Sequence, residues 1–142
     1  MVAAVSHPPV DPPPMLLGYS GTELRRNLVD AVLRGVKTAT SSLRAEYEPY
    51  TDDALPEVGE RRVVLGLDDN PVCVVEILEV RILRVSEVDL ALAHDEGEGF
   101  RTVLEWRRAH ERFWAGREIE GDTLIVAERF RLVERCSSPQ GA

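Results

Sequence analysis

Gly35-Val36-Lys37-Thr38-Ala39-Thr40-Ser41-Ser42-Leu43 is the stretch whose surroundings decide how this chain is read. Upstream, Ser20-Gly21-Thr22-Glu23 has a capping-box pattern, a hydroxyl residue followed three positions later by Glu. Behind it Leu24, Leu28, Ala31 and Val32 recur at helical offsets, which predicts a helix over residues 21 to 34 with one apolar face. Gly35 stands where a left-handed C-terminal cap is wanted. The chain then passes into Thr38 to Leu43, rich in hydroxyl and β-favouring residues, which reads as a strand.

Further strands are expected over Arg62 to Leu67 and Val72 to Val85, divided by the turn Asp68-Asp69-Asn70-Pro71. Tyr47 to Gly59 reads as a long surface loop, a kind that is often functional in compact domains. Glu87 to Ala93 predicts a short helix. Thr102-Val103-Leu104-Glu105 is a second capping box, opening a helix to about Ala115 with Val103, Trp106, His110 and Phe113 on one face. In the last strand, Thr123 to Val133, the residues Leu124, Val126, Phe130 and Leu132 can face a core together. Scattered strands with about three helices, without strict βαβ alternation, indicate an α+β domain around a small sheet or barrel.

The 142 residues fit one domain, and residues 15–134 are expected to form it. Five of the nine prolines fall in residues 1–14, which read as a flexible leader outside the fold, and 135–142 as a disordered tail. No apolar run approaches the ~20 residues of a membrane span. The start of the chain lacks the basic and apolar parts of a secretory signal, so a cytoplasmic location is expected. Cys73, in an apolar run, and Cys136, in the polar tail, have no metal-ligand spacing and stand far apart in context. A net charge of −8 and a pI near 4.9 argue against a broad phosphate-binding face. Arg25-Arg26, Arg61-Arg62 and Arg107-Arg108 leave room for a local basic rim.

Three features can carry chemistry. Lys37 and Thr40, three apart, face oppositely in a regular strand and converge only if the segment turns locally. A lysine in a buried pocket acts as a base or anchors an anion, and a threonine beside it attacks or donates a hydrogen bond. A solvated lysine and an ordinary strand threonine fit the same letters. In Glu96-Gly97-Glu98-Gly99, glycine permits close backbone approach and neighbouring carboxylates suit acid–base work, while a solvated acidic loop is the plainer reading. Trp106 and His110 are four apart on a helix, adjacent in space, and either wall a pocket or belong to the core. No metal site, phosphate loop or Ser-His-Asp triad is recognisable, and no cofactor is expected.

The order of these blocks is more specific than any one of them. Gly35 to Leu43, then Tyr47-Glu48, Pro56-Glu57-Val58-Gly59, Glu96-Gly97-Glu98-Gly99, and Trp106-Arg107 with His110 and Phe113, together resemble the ASCH domain family, its longer bacterial branch most closely, over about residues 16 to 134. The resemblance implies a PUA-like fold, a small mixed β-barrel flanked by helices, with a cleft lined by the Gly-x-Lys-x-x-Thr segment. It implies RNA or a nucleoside as ligand. A smaller bacterial relative hydrolyses the amide of N(4)-acetylcytidine with a Lys, a Thr and a Glu, which match Lys37, Thr40 and Glu98, with Glu96 in reserve. Gly35, Ser42, Tyr47, Glu96, Trp106, Arg107 and His110 would line the ligand site. One departure is Phe100, where an acid usually follows the Glu-Gly-Glu-Gly run; Thr102 could share that acid's capping job.

Three readings of function follow. The chain is an amidohydrolase acting on an acylated nucleoside. Alternatively it is an RNA-binding module or ribonuclease, holding phosphate with Lys37 and Arg107-Arg108 and stacking a base on Tyr47 or Trp106. In the third it is a non-catalytic small-ligand sensor. Its partner is a nucleoside-like ligand or RNA, not a membrane, and it is expected to be a monomer or homodimer.

Overall fold

The computed structural model describes residues 12–136. Five strands form one sheet: β1 (Pro14–Met15), β2 (Ala39–Leu43), β3 (Arg61–Leu65), β4 (Pro71–Arg84) and β5 (Leu124–Arg135), in the order β1-β3-β4-β5-β2. The β1–β3 pair is parallel and the remaining pairs are antiparallel. Three helices accompany them: α1 (Glu23–Leu33), α2 (Leu90–Asp95) and α3 (Val103–Phe113). The α+β class expected from the sequence is therefore present.

The sheet does not close into a barrel. Its two edges are β1, with only two residues, and β2. The Thr38 carbonyl accepts from Phe130 of β5, so the next carbonyl, that of Ala39, points away from the sheet. It accepts a hydrogen bond from the Lys37 side chain instead of from another strand. The outer edge of β2 is thus built into the site and not into a closed ladder.

Register assigns each strand residue to a face. Thr40 lies opposite Glu128, and Ser42 opposite Val126, so these four share one face with Phe130. Ala39, Ser41, Leu43, Ile125 and Ala127 share the other. The first face carries α1, through Leu28, Val29 and Val32 against Val75, Ile77 and Phe130. The second carries α2 and α3, through Leu92, Ala93 and Trp106 against Ala39, Leu83 and Ile125. Register shifts in the β4–β5 ladder between Val74 and Val75 and between Ile77 and Glu79 let one long strand serve both cores. In β5 both faces are buried, Val126 and Phe130 on one and Ile125 and Ala127 on the other, while Leu124, expected to face the core, is exposed.

The local start and stop signals resolve as follows. Helix α1 is capped by Thr22, not Ser20: the Thr22 side chain accepts from Arg25 N at 3.2 Å, and Ser20 bonds Asp69 across the chain. At its other end Gly35, at φ +75°, donates to Val32 O while Val36 donates to Ala31 O, the paired bonds of a Schellman motif. Thr102 caps α3 through Glu105 N, and Glu105 reaches back to Arg101 N.

Two expectations about the outer parts of the fold change. Pro14, assigned to the leader, is buried in β1, where Met15 and Leu17 join the α1 core. Residues 1–11 of the leader and 137–142 of the tail lie outside the described residues. Arg25 is not a rim residue: its buried guanidinium donates to Leu17 O, Gly18 O and Gly66 O and pairs with Asp69. Cys136 donates its backbone N–H to Val72 O, which brings it close enough to Cys73 that the two thiols act on each other electrostatically.

Candidate functional site

The Schellman turn after α1 delivers Lys37 to the interior. Val36 and Lys37 both donate backbone N–H to Ala31 O, and Thr38 N donates to Asp95 O. The regular strand begins only at Ala39, so Lys37 lies outside its alternation. Its side chain is 1% exposed. Nζ donates to Ala39 O at 2.8 Å and to Glu96 O at 3.1 Å. Burial lowers its pKa below the ordinary 10.5; the carboxylates of Glu96, Glu98 and Glu128 pull the other way without prevailing.

Gly97 makes this approach possible. A Cβ there would lie 2.7 Å from Lys37 Cα and 2.8 Å from Lys37 N, and the residue has φ +76°. Both demands select glycine.

On the α3 face the Glu96 carboxylate is fully enclosed and saturated. Oε2 accepts from Ser41 Oγ at 2.9 Å and from Trp106 Nε1 at 2.8 Å, and Oε1 lies 3.2 Å from His110 Nε2. His110 Nδ1 faces Trp106 O at 2.8 Å. A carbonyl only accepts, so Nδ1 carries hydrogen, and a second proton lies between Nε2 and Oε1. The imidazole also stacks on the Trp106 ring at 4.1 Å. Burial alone would raise the Glu96 pKa; the charge and hydrogen bond of His110 outweigh it and hold the carboxyl well below the usual range.

Glu98 differs from Glu96. It is half-buried, acts electrostatically on Lys37, and its Oε2 is buried without a hydrogen-bond partner among the described residues. It borders a pocket of about 280 Å³ shared with Leu24, Asn27 and Arg34 of the α1 region. Of the two carboxylates, Glu98 retains capacity for a ligand or a proton.

The opposite face of β2 holds a buried polar group that the sequence reading missed. Glu128, 3% exposed, stands across from Thr40. Ser42 Oγ and the Tyr47 hydroxyl are 2.7 Å apart beside it. Burial pushes Glu128 up to about 7, opposed by Arg62 and Lys37 and reinforced by Glu60. Burial likewise raises Glu46 to about 7, opposed by Arg117, and raises the Tyr47 phenol. The alternation of β5 contained the signal: Glu128 shares parity with Val126 and Phe130, which are core.

These raised carboxyls have a measurable consequence. In the folded protein Glu46 and Glu128 hold protons that the unfolded chain releases near the ordinary 4.5. Between about pH 4.5 and 7 the folded state binds more protons, so stability falls as pH rises. We expect the thermal midpoint to drop from pH 5 to pH 8 by several degrees, on the order of the ~4 °C that accompanies 1 kcal/mol in a domain of this size. In Glu128→Gln the drop should shrink. An unchanged slope in that variant would show that Glu128 titrates normally.

Of the expected ligand-lining residues, Thr40, Ser42 and Tyr47 lie on the Glu128 side of β2, and Lys37 feels the charge of Glu98 and Glu128. Trp106 and His110 lie elsewhere: both are fully enclosed on the α3 side and serve Glu96. Arg107 pairs with Glu111 and donates to Ile119 O, which binds it to the loop before β5. Gly35 ends α1. Phe100 covers the His110 ring at 6.0 Å, an apolar lid where an acid was expected. Glu96, Glu98 and His110 each offer a metal-ligand atom within 4.8 Å of the others, the one such trio among the described residues. Glu96 and His110 already share a proton, so neither offers a free ligand atom on the edge they share, which opposes a divalent ion there.

A model of the ASCH domain matches residues 15–134. The chain is 34% identical to the crystal structure of an ASCH domain from Lactobacillus crispatus, with 75% of this chain and 70% of that one covered at a TM-score of 0.68. This chain belongs to the ASCH domain family. A structure from Enterococcus faecalis, at 24% identity and TM-score 0.77, covers 88% of this chain and 78% of its own, and shares the fold. An ASCH protein from Zymomonas mobilis shares it more distantly, at 11% identity and TM-score 0.51 over 80% of this chain and 68% of that one. No curated protein matches the chain. Among the described residues, no helix of this ASCH domain is long and apolar enough to cross a membrane.

Proposed function

We propose that this ASCH protein binds a nucleoside-like ligand beside Lys37 and hydrolyses an amide on it, an N(4)-acylated cytidine being the substrate that best fits. The observation carrying this reading is the Lys37 amine, enclosed in the fold with burial lowering its pKa, next to a Glu98 oxygen without a partner. A buried amine of lowered basicity is more available as a base than an exposed lysine, and a carboxylate oxygen beside it can relay the proton.

In the reaction, an oxygen, from Thr40 or from water, adds to the acyl carbonyl carbon, and its proton passes to Lys37 Nζ. As the C–N bond breaks, that proton moves through Glu98 to the departing exocyclic amine. If Thr40 is the nucleophile, water then cleaves the ester on its Oγ and releases the carboxylic acid. Glu96 supports the step indirectly, since its backbone carbonyl anchors Lys37 while its carboxylate is committed to Ser41, Trp106 and His110. A nucleoside carries no phosphate, which agrees with the net charge of −8. The RNA-cleaving reading ranks second, because Trp106, one of its stacking platforms, is enclosed in the core.

The test is to incubate the protein with acylated cytidines and follow cytidine release by chromatography. Lys37→Ala should slow release by about 10²–10⁴-fold, the usual contribution of a positioned base. Equal rates in the variant and the wild type would sink the proposal.

A further inference from the structure

At the end of β2 remote from Lys37, the chain turns through Arg44 into the long loop that begins at Tyr47. Between this turn and the segment preceding β5 lies a pocket of about 360 Å³. Its apolar floor is Leu43, Ile119 and Leu124, and its walls include Arg44, Tyr50 and Arg117. The volume lies within the range of small-ligand sites, roughly 300–1,000 Å³.

Two features of this pocket bear on what it could take. Tyr50 is 69% exposed, and one face of its ring is held by the Arg44 guanidinium 5.6 Å from the centroid. Arg44 is itself fixed by donation to Glu48 O at 2.9 Å. A large and mostly exposed aromatic ring is thus oriented at the pocket wall. Second, two guanidinium groups line its wall, and neither Arg44 nor Arg117 makes a close ion pair among the described residues, although Arg117 acts electrostatically on Glu46. Arg44 and Arg117 therefore place two guanidinium groups around one pocket in a chain of net charge −8. Guanidinium forks match phosphate, and an exposed ring matches the face of a base.

We propose that this pocket binds a nucleotide, its phosphate held by Arg44 and Arg117 and its base stacked on Tyr50. The site is separate from the Lys37 region and does not depend on the amidohydrolase reading. Glu118 also lines the pocket, and its carboxylate opposes an anion there, which supplies a control of opposite sign.

The experiment is calorimetric titration of the whole protein with cytidine 5′-monophosphate, with cytidine, and with inorganic phosphate. Arg117→Ala and Tyr50→Ala should each weaken the monophosphate by about tenfold or more, the scale of one charged fork or one stacked base. Glu118→Gln should tighten it, and cytidine and phosphate should each bind more weakly. Arg117 and Tyr50 are exposed, so unchanged thermal midpoints keep these variants interpretable. A single-stranded trinucleotide with the same Arg117 dependence would assign the pocket to a strand, and binding of the monophosphate alone to a free nucleotide; either supports the site. Absence of binding, wild-type affinity in both Arg117→Ala and Tyr50→Ala, or phosphate binding as well as the nucleotide would overturn it.

Discussion

Glu96→Ala is expected to cost the domain about 3–5 kcal/mol, the scale of removing one partner from a buried charged pair. Three donors lose their acceptor together: Ser41 Oγ, Trp106 Nε1 and the protonated edge of His110. All three are buried, and only the 3.3 Å contact between Ser41 Oγ and His110 Nε2 remains among them, so most of the desolvation cost is unrelieved. Against a total stability of about 5–15 kcal/mol this is a large fraction. Urea denaturation of wild type and variant measures it. The double variant Glu96→Ala/His110→Ala should cost less than the sum of the single ones, because the second change removes a group the first had stranded. A loss below about 1 kcal/mol would mean that water reaches the cluster. Acid should reproduce part of the effect. The folded Glu96 pKa is depressed, so its contribution is present above the ordinary 4.5 and is lost as pH falls towards the folded value.

The second large effect falls on Gly97. With alanine there, Cβ would press within 2.8 Å of three Lys37 atoms, two of them backbone, and neither side can yield by rotating a side chain. The neighbouring Glu96 carbonyl, which holds Lys37 Nζ, must shift with the loop. Gly99→Ala is the matched control: its φ is also positive, at +82°, but open space surrounds the new methyl. Backbone strain of about 1–2 kcal/mol is common to both. We therefore expect Gly97→Ala to be distinctly more destabilising than Gly99→Ala and to abolish cytidine release, while Gly99→Ala keeps it. Similar costs and similar activities would show that the loop relaxes freely away from Lys37.

Both predictions concern contacts between residues far apart in sequence, and this is where sequence reading had least purchase. Periodicity along a helix is local, so the faces of α1 and α3 and the cap at Thr102 were legible. The choice of Thr22 over Ser20 was not, since either hydroxyl could cap α1 and only the fold offers Ser20 a partner in Asp69. The Glu-Gly-Glu run was legible as a candidate site, but its two carboxylates are equivalent in sequence. They part company only when Ser41, Trp106 and His110 converge on Glu96 and leave Glu98 with an unpartnered oxygen. Trp106 and His110 were correctly adjacent, yet adjacency on a helix does not say which side of a sheet the helix covers.

What the sequence by itself determined is the α+β class, the order of its main elements, and membership of the ASCH family through the spaced Gly35-to-Leu43, Glu96-to-Gly99 and Trp106 blocks. These rest on short-range stereochemistry and on letters in a fixed order. Tertiary structure alone decided that the sheet stays open, that Lys37 is enclosed with its amine on two carbonyls, and that Glu128 lies across from Thr40. Each of these depends on the register between β2 and β5. A shift of one residue would exchange the two faces and place Glu128 on the other side of the sheet.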